Sequence, residues 1–493
     1  MKVQHFILFL ALAVHSVFAL AQTRTISGYI RDKDTYEVLS SANCFEVMTK
    51  AGVASNSSGY YSFTLPSGKV TIRASHVGYQ PVIAEFNLQS DTTIDFLLPI
   101  ILLDEVVITS GQTATFKQSA TGITIIPAST IKSIPSLIGE PDIIRAVTFI
   151  PGVSEGREGI AGFYVRGGDR GQNLILLDGA KIYNTNHLGG FVSLFNSDII
   201  KSADMYKGGF PSRFGGRASS VLDIHTKEGN KHEFHSKFRV GILQSSLLCE
   251  GPLKSQRTSY LVAIRASYFD LLLLPLRIKV KADGSGDLFG YTFADINLKV
   301  NHEVNNKNKL FANFYSGLDL QGSSYNGLNE ASDDDLLIRT NLLTLGHTFV
   351  PGKKTFLKNS LIISGYGNRV SAFYSENTQH EQYFTRTSSQ SSIRELTFKS
   401  ILDWNPDVAH SIKAGAELNN YSFLPGKLHL EYEDLVINHR FDTIFGTSSR
   451  LKSSELSLFF EDDYTVCNAL KVYAGIRSSG YFYKKSMNYF FYP

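Results

Sequence analysis

The sequence predicts a mainly β protein built as an N-terminal β-sandwich, a small α+β domain, and then antiparallel transmembrane β-barrel strands sufficient for a partial barrel. Three observations predict this. Composition is the first: the 493 residues include 24 Tyr, 34 Phe and 40 Gly but only 14 Pro and 4 Met, a mix that favours strands and turns over helices. The second is a two-residue hydrophobic period that sets in near residue 231 and runs to the end. Third, no uninterrupted apolar run beyond residue 21 approaches the ~18 residues of a membrane-spanning helix, whereas a barrel strand needs only ~10 residues of alternating character.

Taken in order, MKVQHFILFLALAVHSVFALAQ has the form of a secretory signal peptide over residues 1–21. A basic Lys2 precedes the apolar stretch Phe6 to Phe18, and Ala19 and Ala21 flank Leu20 at the cleavage site. The mature chain is then expected to begin at Gln22, and since no cysteine follows the cleavage site, lipid anchoring there is not expected. Cys44, Cys249 and Cys467 lie far apart in separate regions and read as lone thiols rather than a disulfide framework.

Residues 22–100 alternate short strands with Gly, Asn and Pro turns: TISGYIRD, ANCFEVM, NSSGYYSFTLPSG, KVTIRASHVGYQPV and DTTIDFLL. This predicts a sandwich of seven strands or fewer. Residues 101–111 hold a short β-prone segment, LDEVVITS, closed by Gly111.

Residues 112–230 are mixed. GEPDIIRAVTFIPG predicts a short amphipathic helix with Pro141 at its first position, Ile143, Ile144 and Val147 on one face, and a stop at Pro151-Gly152. Asn173 to Leu177 and Ala180 to Asn184 read as β arms around Asp178-Gly179, a strong hairpin signal. A second brief helix is expected from Asp198, then an extended segment from Val221 to Thr226.

Residues 231–493 read as barrel strands. In TFADINLKV, Ala294, Ile296, Leu298 and Val300 oppose Phe293, Asp295, Asn297 and Lys299; ELSLFFEDDYTV and HSIKAGAEL behave alike. Roughly ten to twelve such segments recur, joined by short turns such as NNKN and longer polar stretches such as NGLNEASDDD, as a barrel with lipid outside requires. A soluble β-helix or sandwich is the alternative.

Net charge is +3, from 48 basic and 45 acidic residues, which gives no support to nucleic-acid binding. Catalytic and metal motifs fail on context. GVSEG (152 to 156) fits a nucleophile elbow around Ser154, but the strand-before, helix-after arrangement is missing. HTKE places His225 and Glu228 on opposite faces of an extended chain, and HEFH (232 to 235) misses the helical zinc spacing. The Gly-rich runs lack the Gly-Lys-Ser/Thr of a phosphate loop. No cofactor, metal or enzymatic activity is expected.

The stretch PGVSEGREGIAGFYVRGGDRGQNLILLDGAKIYN, continued by FNSDIIKSADMYKGGFPSRFGGRASSVLDIHTK, resembles the plug domain of TonB-dependent outer-membrane transporters. The marks are Val165-Arg166-Gly167, Leu177-Asp178-Gly179, Tyr206-Lys207-Gly208-Gly209, and Phe214-Gly215-Gly216-Arg217 leading into Val221-Leu222-Asp223-Ile224. Upstream, Ser27-Gly28 through Asp32, Gly59-Tyr60-Tyr61-Ser62-Phe63 and Val77-Gly78-Tyr79 resemble a carboxypeptidase-regulatory-like domain, an arrangement seen in Bacteroidetes-type members. Asp104, Glu105, Val106, Val107, Ile108 and Thr109 are similar to the family's Ton box, the segment that a TonB-type periplasmic energy-transducing protein pairs with as an added strand and pulls.

The resemblance implies an outer-membrane transporter that imports a large, scarce solute: an iron chelate such as a siderophore, a cobalamin, an oligosaccharide or a peptide. Its partners would be TonB, outer-membrane lipid and the solute; a surface lipoprotein is a further partner, although VRGGDRGQNLILLDG departs from the form found in glycan importers that use one. An outer-membrane binding or signalling receptor without transport is the alternative, and a secreted zinc peptidase is the third. A plug in a polar lumen needs its charges satisfied by partners there. Arg166 and Asp178 are the candidates, the other reading being an exposed pair at two turns. Ligand-binding residues are not assigned by sequence. Family barrels have about 22 strands, and unpaired edges in hydrocarbon cost several kcal/mol per group, so the chain is expected to be the N-terminal part of a longer transporter.

Overall fold

A computed structural model describes residues 23–101, 122–134, 140–155, 162–283, 287–378, 381–447, 449–467, 470–484 and 486–492. The signal peptide (1–21) and the DEVVIT segment (104–109) lie outside the described residues.

The first unit is a sandwich of two four-stranded sheets. One comprises Tyr60–Pro66, Thr23–Asp32, Thr92–Thr93 and Phe96–Leu98; the other comprises Gly52–Ala54, Asn43–Glu46, Gly68–Ser75 and Val82–Leu88. Strand Gly68–Ser75 shows why they stack: Val70, Ile72 and Ala74 are buried while Lys69, Thr71 and Arg73 are not. Ile26, Ile30, Phe63, Leu65, Ile72, Leu88 and Leu98 form the shared core, each large side chain worth roughly 1.5–3 kcal/mol when fully buried.

Eight strands stand where seven or fewer were expected, because DTTIDFLL is split. At the break the Tyr29 N–H donates to the Asp95 carboxylate (2.8 Å) and the Ile94 N–H to the Ser27 carbonyl (2.8 Å). Gly28 permits this crossing, since a Cβ there would lie 1.9 Å from the Ile94 carbonyl oxygen. Gly28→Ala must therefore push backbone apart, and scanning calorimetry should show the sandwich destabilised by about 1–3 kcal/mol, as overpacking costs elsewhere.

The second unit is a five-stranded sheet in the order Ala180–Lys181, Asn173–Leu177, Ser220–Thr226, Ile200–Tyr206, Ile123–Pro127. Asn173–Leu177 runs parallel to Ser220–Thr226, and the other pairings are antiparallel. The expected helix is present as Ile143–Thr148, but Pro141 precedes it and Asp142 caps it, its carboxylate accepting from the Ile144 N–H at 2.8 Å. An acceptor at that position satisfies an N–H that proline at the first helical position would leave to water. No helix starts at Asp198. Its carboxylate is taken by Lys237 (2.7 Å) and Arg239 (2.8 Å), and the residues after it are claimed on both sides as strand Ile200–Tyr206.

The third unit is one antiparallel sheet of 13 strands from His235–Val240 to Ser486–Tyr492. These two end strands do not pair with each other, so the sheet is open. Its burial is inverted relative to a water-soluble protein. Outward Leu456 and Leu458 are 43% and 55% exposed, as are Ile264, Val300, Leu361, Ile363, Leu396 and Phe398 to similar degrees, while Arg265, Asp295, Glu395, Glu417, Glu461 and Arg477 are buried. Such a surface suits hydrocarbon outside and polar filling inside.

One rim has tight turns, and the opposite rim has hairpins that are also short, NGLNEASDDD among them with Asn326 paired to Ala331, except for one long connection. Asn305–Asn308, Gly352–Thr355 and Cys467–Leu470 are tight, whereas the opposite rim carries the helices Phe269–Leu272 and Leu274–Asp283. Short turns mark the periplasmic rim of an outer-membrane barrel. The sandwich sits at that rim and the five-stranded unit lies against the wall's polar face.

Candidate functional site

The site is the seam between the five-stranded unit and the wall, and it begins at the Asp178-Gly179 turn. Leu177 pairs with Ala180, so the loop has two residues, and both adopt positive φ, 47° and 87°. That is the geometry of the type I′ hairpin turn, for which Asp-Gly is favoured. The turn aims the Asp178 carboxylate at the wall, where it accepts from Lys299 (2.9 Å) and Asn313 (2.7 Å), and from the Thr226 N–H (2.9 Å) and hydroxyl (2.5 Å) of its own sheet. Burial pushes its pKa up, but the Lys299 ammonium and the Thr226 bonds outweigh this and hold it below the usual carboxylate range. Asp178 is thus a fixed anion.

Three further clusters tie the unit to the wall. Lys181 donates to Glu395 (2.6 Å) and Tyr421 (2.9 Å), and the Tyr183 hydroxyl to the other Glu395 oxygen (2.6 Å). The Arg213 guanidinium meets Glu461 at 2.9 Å and its backbone N–H meets the second oxygen at 2.5 Å. Beside it Gly215 admits Arg477, since a Cβ there would lie 2.5 Å from its Nε. At the long-loop end, His187 contacts both Asp319 oxygens at 2.9 Å and Asp295 at 3.3 Å. Arg265 there reaches Asp295 (2.6 and 2.8 Å), Glu140 (3.1 Å) and the Ser193 and Leu194 carbonyls (2.9 and 3.1 Å).

The other sequence-predicted positions divide. Arg166 is exposed, with φ 48° followed by Gly167 at 80°, forming a second tight turn; among the described residues no carboxylate lies within ion-pair distance of it. The structure thus separates Arg166 from Asp178. Gly208, Gly209 and Gly216 take positive φ (141°, 57° and 80°), and Arg217 is exposed, donating to the Gly216 carbonyl. Ser154 is exposed on the ribbon strand Val153–Glu155. His225 faces Asp204 (3.6 Å) and Asp223 (3.8 Å), and among the described residues no group of His, Cys, Asp and Glu is placed to hold a metal ion.

Sequence reasoning missed Lys181, Tyr183, His187, Arg213 and Arg265. The polar parity of TFADINLKV and ELSLFFEDD gave Asp295 and Glu461 without their arginine partners, and Lys299 without joining it to Asp178.

Residues 26–108 match the family described as the CarboxypepD_reg-like domain, and residues 115–221 match the TonB-dependent Receptor Plug Domain. Residues 115–221 are thus a plug domain of the TonB-dependent receptor type, preceded by a CarboxypepD_reg-like domain. The five-stranded unit is that plug, and the open 13-stranded sheet has the fold of part of a β-barrel wall. Solved structures agree in fold. The RagAB peptide importer in its open-open state superposes with a TM-score of 0.52 at 12% identity, over 76% of this chain and 56% of that one. The outer-membrane transporter YddB from Escherichia coli gives 0.50 at 12% identity over 75% and 57%. The ferripyoverdine receptor of Pseudomonas aeruginosa gives 0.50 at 13% identity over 74% and 53%. The chain spans little more than half the length of these structures. No curated protein sequence matches it significantly.

Proposed function

We propose that the protein works in energy-coupled import of a large, scarce solute, with residues 104–109 as the segment that a TonB-type protein of the periplasm engages. The observation that carries this reading is the chemistry of the seam. Much of the plug's hold on the wall is made of charged pairs and hydrogen bonds: Asp178 to Lys299, Lys181 to Glu395, Arg213 to Glu461, and Glu140 to Arg265. Such contacts can be exchanged for water one after another, whereas a continuous apolar interface would have to part as a whole. Removing one partner from a buried pair costs about 3–5 kcal/mol, so thermal motion rarely frees several together and an external pull is required.

Peptides and iron chelates are the solute classes best supported, because the RagAB importer and the ferripyoverdine receptor share the fold. An oligosaccharide or cobalamin would fit the same machinery, and a surface lipoprotein would be an additional partner. Deleting residues 104–110 is expected to abolish energised uptake in cells supplied with candidate peptides or iron chelates while leaving outer-surface binding intact. Uptake that persists after the proton gradient is collapsed would refute the coupling. A receptor that signals without transport is the second reading, favoured by the extra domain at the periplasmic rim; on that reading a cellular response survives the same deletion.

A further inference from the structure

Residues 23–101 do more than precede the plug. Their Met48–Ser58 segment covers the short-turn side of a cavity of about 640 Å³ whose other walls are the plug, through Asp178, Lys201 and His225, and the barrel, through Lys358 and Lys399. The cavity lies on the short-turn side, where a solute that has passed the plug must emerge, and its lining is rich in charged groups that suit a polar passenger.

The closure is made by a clasp and two rim contacts. One Glu37 oxygen accepts the backbone N–H groups of Glu228 (2.7 Å) and Gly229 (2.9 Å), on the chain that leaves the plug for the first wall strand. Glu303 of the wall gathers Arg31 (3.3 Å) and Lys231 (2.6 Å). Across the rim, Asn56 donates to Asp403 (2.8 Å), the Tyr60 and Ser62 hydroxyls share the Lys353 carbonyl (2.8 and 2.6 Å), and Tyr60 stacks on Phe356 at 5.3 Å. A small apolar cluster within a polar rim is the make-up of an interface that opens and closes, not of a permanent core.

We propose that the carboxypeptidase-regulatory-like domain is a gate: it forms the floor of an exit chamber beneath the plug, held shut by Glu37 and Arg31, and swings aside as a folded unit to let solute out. This rests on the transport reading for its purpose, but its test needs neither solute nor energy source, so either idea can fail without the other.

The test uses the whole mature chain in detergent micelles, with Cys249 and Cys467 changed to serine and Lys201→Cys as a reporter inside the chamber. Glu37→Gln with Arg31→Ala is expected to speed labelling of residue 201 by a polyethylene-glycol maleimide about tenfold, the ratio given by weakening the closed state by ~1.4 kcal/mol. Cys44, buried in the sandwich core, should stay unlabelled, which shows swinging rather than unfolding. Separately, Asn56→Cys with Asp403→Cys should form a disulfide in isolated outer membranes, and adding the Glu37 and Arg31 changes should lower its yield severalfold. Unchanged labelling of residue 201, labelling of Cys44 in step with it, or no disulfide between positions 56 and 403 overturns the gate.

Discussion

Replacing Arg265 with methionine is expected to weaken the hold of the wall on the plug by about 3–5 kcal/mol, the cost of leaving buried charge without its partner. Arg265 is 1% exposed and supplies six contacts at once: two to Asp295 beside it in the wall, two to Glu140 of the plug, and two to the plug carbonyls of Ser193 and Leu194. Guanidinium geometry suits this task, since its fixed fork of donors reaches carboxylates and carbonyls together, which a lysine ammonium cannot do. Methionine fills much of the volume, so the loss is chiefly electrostatic. Urea titration read by tryptic cleavage of the plug should shift to lower urea. Adding Glu140→Gln to Arg265→Met should recover part of the loss, because one stranded carboxylate is then neutral; a double variant as weak as the sum of its parts would show that Arg265 acts only as filler.

The fold was legible to the extent that period and turn chemistry are local. Alternation in TFADINLKV places Asp295 and Lys299 on the buried face and Val300 on the exposed one, as the structure has them. Asp178-Gly179 declares its own turn because only positive φ at both residues closes a two-residue hairpin of this hand. Two readings failed, one where tertiary pairing overrode local preference and one to a local competitor. Asp198 has the look of a helix cap, but Lys237 and Arg239 from the first wall strand take its carboxylate. Pro141 suits a first helical position, yet Asp142 next to it is the better acceptor for the Ile144 N–H. The site was half legible for a related reason. Lys181, Arg213 and Arg265 lie in segments with no motif of their own, and each acquires a role only from a carboxylate 30 to 248 residues away. Nothing in the periodicity of one strand encodes such a distance.

The same seam should respond to pH through His187. The ring is 1% exposed, stacked on Phe293 at 4.5 Å and flanked by Asp319 on one nitrogen and Asp295 on the other. Tyr291 also donates to Asp319 and Arg265 to Asp295. Burial alone would push the imidazole pKa down; hydrogen bonds to Asp295 and Asp319 and their charges outweigh it, and the pKa is raised above its ordinary value. A group raised in the folded state gives its full stabilisation below the ordinary pKa of ~6.5 and loses it as pH climbs through the raised value. The plug should therefore be held constantly up to about pH 6.5, and its hold should fall above that by about 1.4 kcal/mol per pH unit until the ring is neutral. Asp178, whose pKa is lowered, acts at the other end: its contribution is present above the usual carboxylate pKa and is lost only as pH falls below it. His225 is raised as well, by Asp223 and Asp204 against its burial. Those carboxylates belong to the plug and stay with His225 on release, so only the part of its burial that the wall supplies enters the difference. His187→Gln should then flatten the slope between pH 6.5 and 9 in the urea and trypsin assay, and weaken the hold at pH 6 because Asp319 loses its counter-charge. A slope that survives this substitution would place the pH response elsewhere in the seam.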